Sequence, residues 1–184
     1  MMPNDTIIIQ QTINWVRNVI VELNFCPFAG REVERDSIRY VVDHGTLHKQ
    51  RLHHLFDECR HLDLNAKTET TLFVIAEDLT EFDTFLDFVE LAESLLKEQG
   101  YEGIYQLAHF HPDYQFDNTE VDDASNYTNR SPYPMLHLIR ESSIEKATAH
   151  YPDAESIPGR NIDLARKKGK LQMQTLLDAA LKDL

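Results

Sequence analysis

His109 and His111 stand two residues apart at the end of a predicted strand, and Asp113 follows directly. Side chains at i and i+2 of a strand share a face, about 6.6 Å apart at ~3.3 Å per residue. Two imidazoles at that spacing can converge on one ion. His137, on a strand predicted to pair alongside, supplies a third nitrogen. His109, His111 and His137 are therefore the candidate metal ligands, a donor set suited to Zn²⁺, Fe²⁺ or Mn²⁺. The competing reading leaves His109 exposed and has His111 close the strand end through backbone hydrogen bonds.

A second constellation comprises Asn126, Asn129, Arg130, His137, Arg140 and Glu141. Arg130 and Arg140 offer a planar bidentate clamp for a carboxylate or phosphate. Amides at the start of a helix opened by Ser142 add an anion-friendly terminus. His111 and His137 are the candidate general acid and base, because imidazole titrates near neutral pH. Asn129 joins them as a candidate catalytic residue. Asn126 and Tyr114 join the two arginines as candidate substrate-binding residues. Against this stands a structural role, in which Arg140 pairs with Asp122, Asp123 or Glu141 and ties a loop to the sheet.

Other reactive residue types read more simply. Cys26-Pro27-Phe28 has the Cys-before-Pro order of redox sites. It follows a helix instead of opening one, and no second Cys stands at Cys-x-x-Cys spacing. A thiol between Phe25 and Phe28 reads as a small core residue, with a nucleophile paired to His111 or His137 as the chemical alternative. His53, Asp57 and His61 recur one turn apart, a metal-compatible spacing that on a helix face reads as solvated charge. Glu77, Asp78, Glu81 and Asp83 read as solvating and capping a helix start.

The elements that must position these residues follow from periodicity. Ile9, Ile13, Val16, Ile20 and Leu23 fall on one face of a helix predicted over 4–23, capped by Asn4 or Asp5. Phe25 to Asp36 reads as a loop. A strand is predicted over 38–42, then a helix over 47–62 with the stripe Leu52, Leu55, Phe56 and Cys59. Thr70 to Ala76 is apolar on both parities, so it is predicted to be central and covered on both faces. A helix from Thr80 or Glu81 to about Gln99 ends at Gly100, placed for a left-handed cap. Strands follow over 104–110 and 135–140, separated by a polar segment over 112–134 without period. Loops of that length are usually functional or disordered, and the aromatic content of this one predicts that it folds back onto the domain. Ser142 and Glu145 form a capping box for a helix to about His150, and a last helix spans Asn161 to Leu181 with a break at Gly169. The expected fold is a single α/β domain over 1–184. Its small mixed sheet of about four strands is covered by helices, with a ferredoxin-like two-layer sandwich as one version.

Composition narrows the partners. Of 184 residues, 18 are Lys or Arg and 31 are Asp or Glu, a net charge of −13. That balance argues against nucleic acid and against an anionic membrane surface. Arg166-Lys167-Lys168 with Lys170 is the dense basic stretch and reads as a solvated helix face. No run approaches the roughly 20 apolar residues that span a bilayer. Met1 to Asp5 lacks a basic leader region, so a cytoplasmic protein with reduced Cys26 and Cys59 is expected.

Several runs matter together: Gly100 to Ala108, Phe110-His111-Pro112, Tyr114-Gln115-Phe116, Asn126 to Pro134 and Leu136-His137-Leu138. With Cys26 to Ala29 and Ile157 to Asn161, they resemble the uncharacterised bacterial domain-of-unknown-function family 1415 over nearly the whole chain. The resemblance implies a single-domain bacterial protein and transfers no activity. A small residue such as Ser stands in that family's pattern where this chain has His109. That shifts the weight of the site to His111, Asn129, Arg130, His137 and Arg140.

Three functions compete. The first is an enzyme of hydrolase or lyase type on a small anionic substrate, with or without a divalent metal. The second is a non-catalytic binding or assembly protein, homo-oligomeric or with a partner, presenting Tyr105, Tyr114, Phe116, Tyr127 and Tyr133 around Arg130. The third makes the polar motifs purely structural, as locks of the 112–134 loop.

Overall fold

β1 (Ile38–Asp43), β2 (Thr70–Ile75), β3 (Tyr105–Phe110) and β4 (Met135–Arg140) form one sheet in the order β1-β2-β4-β3. The computed structural model describes residues 4–182, so Met1, Met2 and Pro3 of the expected leaderless start lie outside the described residues. β1 and β2 pair in parallel, while β4 runs antiparallel to both β2 and β3. The three strands β1, β2 and β3 therefore point the same way, with β4 inserted against them. Their carboxyl ends, at Asp43, Ile75 and Phe110, fall along one edge beside Met135, where β4 begins.

β2 is buried at every position, as its unbroken apolar run requires. Its two faces serve two cores. Phe73 and Ile75, with Leu136 and Leu138 of β4, pack against α3 (His48–Leu64) and α4 (Phe82–Glu98). Leu72, Val74 and Met135 pack against the N-terminal helix and the C-terminal pair α6 (Ile157–Lys168) and α7 (Lys170–Ala180). Helices on both faces make three layers. The two-layer ferredoxin-like version is thus corrected, because the polar-looking termini carry apolar stripes that need the second face of β2. Among the described residues no helix is long and apolar enough to cross a membrane.

The N-terminal helix α1 (Asp5–Trp15) is capped by Asn4, whose side chain accepts the Ile7 N–H at 3.0 Å. It continues as a π-helical turn over Val16–Val21. Its buried stripe is Ile8, Gln11, Thr12, Trp15, Val16, Val19 and Ile20, one position off the expected one, leaving Ile9 and Ile13 half-buried. Trp15 sets that rotation: its ring meets Phe110 edge-on at 5.1 Å and its indole N–H donates to Arg130 O at 3.1 Å.

Three further boundaries move. The expected loop after Phe25 contains a short helix, α2 (Ala29–Glu34), in which Ala29, Arg31, Glu32 and Glu34 are good helix formers. The helix α5 (Glu141–Ala149) starts one residue before Ser142, with Arg140 at the N-cap and no side-chain cap, so the capping box does not form. β4 runs straight into α5, and the Glu141 N–H is taken by Ile104 O at 3.0 Å. Gly100 and Gly169 do adopt left-handed φ, at 79° and 82°. Pro158 in the first turn starts α6 earlier than expected.

Candidate functional site

The segment from His111 to Pro134 folds back on the sheet and is held from inside. Its 3₁₀ turn, Ala124–Thr128, is wholly buried. Asn126 is fully buried: its Oδ1 accepts from Phe116 N at 3.1 Å and Thr119 Oγ1 at 2.8 Å, and its Nδ2 donates to Glu120 O at 2.9 Å. Arg130 lies against the Tyr127 ring and donates to Tyr114 O at 3.1 Å and Val121 O at 3.0 Å. Asn129 donates to His109 O at 3.4 Å and also bonds Tyr114, whose phenol burial pushes upward in pKa. Outer ties run from Arg166 to Asp123 at 2.7 Å and from Lys170 to Asp122.

Arg140 sits at the far end of β4. It donates to Leu62 O at 2.6 Å and Thr68 O at 3.0 Å, with its guanidinium over the Tyr105 ring. The six-residue strand Met135–Arg140 separates it from Arg130, a rise of about 17 Å at ~3.3 Å per residue. The anion clamp expected of Arg130 and Arg140 is therefore corrected: both guanidinium groups are bonded to backbone carbonyls at opposite ends of a strand. Arg140 also has none of the three carboxylate partners expected of it, since Asp122 and Asp123 pair with Lys170 and Arg166. The aromatic docking surface is corrected as well, because Tyr105, Tyr114 and Tyr127 are interior.

The three candidate metal ligands divide between the two faces of the sheet. His109 pairs with Leu136 and meets the α4 core, where its ring stacks on Tyr114 at 5.5 Å. His137 pairs with Leu72 and meets the opposite core. Its Nε2 lies 2.7 Å from Thr70 Oγ1, whose own proton goes to Leu138 O, so the imidazole is the donor. Among the described residues no group of three or more His, Cys, Asp or Glu is placed to hold a metal ion. The ligand set His109, His111 and His137 is corrected on that geometry.

His111 is completely buried between Phe82 and Phe85. Its Nδ1 accepts the Asp113 N–H at 3.0 Å, so Nε2 carries the proton and donates to Leu79 O at 3.0 Å. Burial pushes the pKa of His109, His111 and His137 down, to about 4 for His137. All three rings are neutral at pH 7; His111 and His137 serve as hydrogen-bonding groups, while His109 Nδ1 is buried without a partner.

The carboxyl edge of the parallel strands assembles a different set. Asp43 closes β1 and is 2% exposed. Its Oδ1 lies 2.8 Å from His54 Nδ1, and its Oδ2 accepts the Gly45 N–H at 3.2 Å. Arg51 Nε approaches Oδ2 at 3.4 Å, a charge contact without hydrogen-bond alignment. A Cβ at Gly45 would come within 2.9 Å of Arg51 Cγ, so glycine is what lets this turn close on α3. Arg51 Nη2 donates to Glu77 O and to Asp78 Oδ2, both at 3.1 Å. Asp78 and Leu79, just past β2, both hold left-handed φ, at 62° and 50°, a conformation aspartate tolerates but one that is costly for Leu79.

His54 is the half-exposed member, with its ring edge-on to Phe73 at 5.0 Å. The hydrogen bond to Asp43 raises its pKa, against partial burial. Among the described residues nothing bonds its Nε2. The arrangement is a carboxylate-oriented imidazole: a buried acid fixes one nitrogen and the other is open to solvent. His53 and Asp57, which share the expected metal-compatible spacing, point to solvent instead. The signal for Asp43 and His54 is faint, an Asp-His-Gly end to a strand followed by a His eleven residues on.

A comparison with family models matches residues 7–175 to one described as a protein of unknown function (DUF1415). No curated protein and no solved structure matches the chain.

Proposed function

The chain belongs to the DUF1415 family, and from that premise we infer that the carboxyl edge of its sheet is an acid–base site with His54 as the proton carrier. The observation that carries the reading is the buried Asp43 carboxylate on His54 Nδ1, which leaves Nε2 outward. Asp43 fixes the tautomer and makes the ring more basic, the role of the orienting acid in catalytic dyads. Crevices outside the carboxyl ends of parallel strands are where open α/β sheets bind ligands, an argument from fold alone.

Hydrolysis and elimination are the reaction types this pair serves, since each needs a base of near-neutral pKa. An anionic substrate is disfavoured at this edge, because Asp5, Glu77 and Asp78 surround it at 57%, 47% and 61% side-chain exposure. A small neutral or cationic polar molecule fits that charge.

A structural reading has its own observation. Arg39 and Glu58 make a bidentate pair, at 2.7 and 3.1 Å, on the same β1–α3 seam. The two readings separate in variants His54→Gln and Asp43→Asn, screened against small esters, amides and β-hydroxy amines. The acid–base reading expects turnover that falls about 10²- to 10⁴-fold in His54→Gln, with little change in Tm. Loss of Tm without any turnover to lose, in either variant, would refute it.

A further inference from the structure

The dyad is joined to the folded-back segment after β3 by an unbroken series of polar contacts. His111 Nε2–H donates to Leu79 O. The same turn offers Glu77 O and the Asp78 carboxylate to Arg51 Nη2. Arg51 in turn faces Asp43 Oδ2, and Asp43 Oδ1 holds His54. The intervening element is the turn over 77–79, whose left-handed Leu79 is strained without outside support. Support comes from one residue on each side, the fully buried His111 and the 2%-exposed Arg51.

We propose that His111 is a positioning residue for His54: by pinning Leu79 it keeps the strained turn closed, and the closed turn keeps Arg51 against Asp43. The proposal rests on the reading of His54 as the proton carrier. With the turn open, Arg51 follows Glu77 and Asp78 away from the carboxylate. Asp43 then faces His54 without a competing cation, and the imidazolium is favoured. The carboxylates around His54 are Asp43, Glu58 and Asp57, and Arg51 reaches the ring only through Asp43, which it faces at 3.4 Å, so release of Arg51 has one sign. Around His111 the carboxylates are Asp113 and Glu81, neither of them on the route to His54.

The experiment is an NMR titration of the His54 imidazole in the full chain, wild type beside His111→Gln and Arg51→Gln. Glutamine at 51 takes the cation away from Asp43 directly, so that variant tests the route even where His111→Gln fails to fold. The expected result is a wild-type His54 that titrates above an ordinary imidazole. Its pKa then rises by about half a unit or more in the variants, about a threefold change in proton affinity. An unchanged or lowered His54 titration in folded Arg51→Gln or His111→Gln overturns the positioning role and leaves the dyad standing. A wild-type His54 that titrates at or below the ordinary value overturns the dyad, and the proposal with it.

Discussion

Replacing Arg130 by Ala removes the residue that holds the 111–134 segment from within, and its effect can be worked from the contacts. The bond to Tyr114 O is interior, so nothing replaces it; a hydrogen bond from a charged donor contributes about 1.5–3 kcal/mol. The bond to Val121 O is partly buried and Val121 itself is 61% exposed, so water recovers part of its similar value. The guanidinium lies 4.6 Å from the Tyr127 centroid, worth about 0.5–2 kcal/mol. Together these predict a loss of about 3–5 kcal/mol. For a chain of 184 residues that lowers Tm by about 6–20 °C. Thermal melts followed by circular dichroism read this directly, with Arg130→Lys expected between wild type and Ala because a lysine reaches one carbonyl only. A Tm within about 2 °C of wild type would refute the structural role and return Arg130 to the list of ligand-binding candidates.

Three further outcomes follow from the same contacts. Gly45→Ala forces a Cβ against Arg51 and should destabilise by about 1–3 kcal/mol while disturbing the His54 titration; a variant normal in both would contradict the tight turn. His137 is neutral down to about 4 when folded and ordinary, near 6.5, when unfolded, so stability is full above that value and falls on acidification between the two, by roughly 3 kcal/mol. His109 and His111 add to this loss and the raised His54 opposes it, so the urea midpoint should drop from pH 7.5 to pH 5; a constant or rising midpoint would refute the assignment. The Cys59 thiol is fully buried and pushed up to about 12, so a thiol reagent should label it only after unfolding, and rapid labelling in native buffer would contradict the core packing.

Much of the fold is legible in short-range pattern, and what is not legible depends on pairing. The doubly apolar run from Thr70 announces a central strand, and Met135–Arg140 is bounded in the structure as in the sequence. Strand order is another matter: β4 slips between β2 and β3, and no local signal reports that. The candidate site fails to read for the same reason. His109 and His137 look alike as donors on neighbouring strands, but His109 is opposite Leu136 and His137 opposite Ala108, one residue apart in register. That single step puts them on different faces. Arg130 and Arg140 suggest a clamp only until the strand between them is extended. Asp43 and His54 escape notice because their contact crosses a turn and joins a strand to a helix, where neither period applies.

Burial then sorts the imidazoles by role. His109, His111 and His137 are in or against the cores, where desolvation holds them neutral. A neutral ring with committed nitrogens, as in His111, is a directional hydrogen bond and not a proton carrier, because protonating Nδ1 would displace the Asp113 N–H. His54 differs in each respect: its carboxylate partner favours the charged form, its ring is half-exposed, and its second nitrogen has no partner among the described residues. The residue types first suggested for chemistry therefore serve as the frame, and the reading of a proton carrier rests on the histidine whose partner is a buried acid. Removing that acid separates the two uses: Asp43→Asn should drop the His54 titration toward or below the ordinary imidazole value while leaving the His109, His111 and His137 resonances unmoved. A common shift of all four would mean that the fold, not the dyad, governs them.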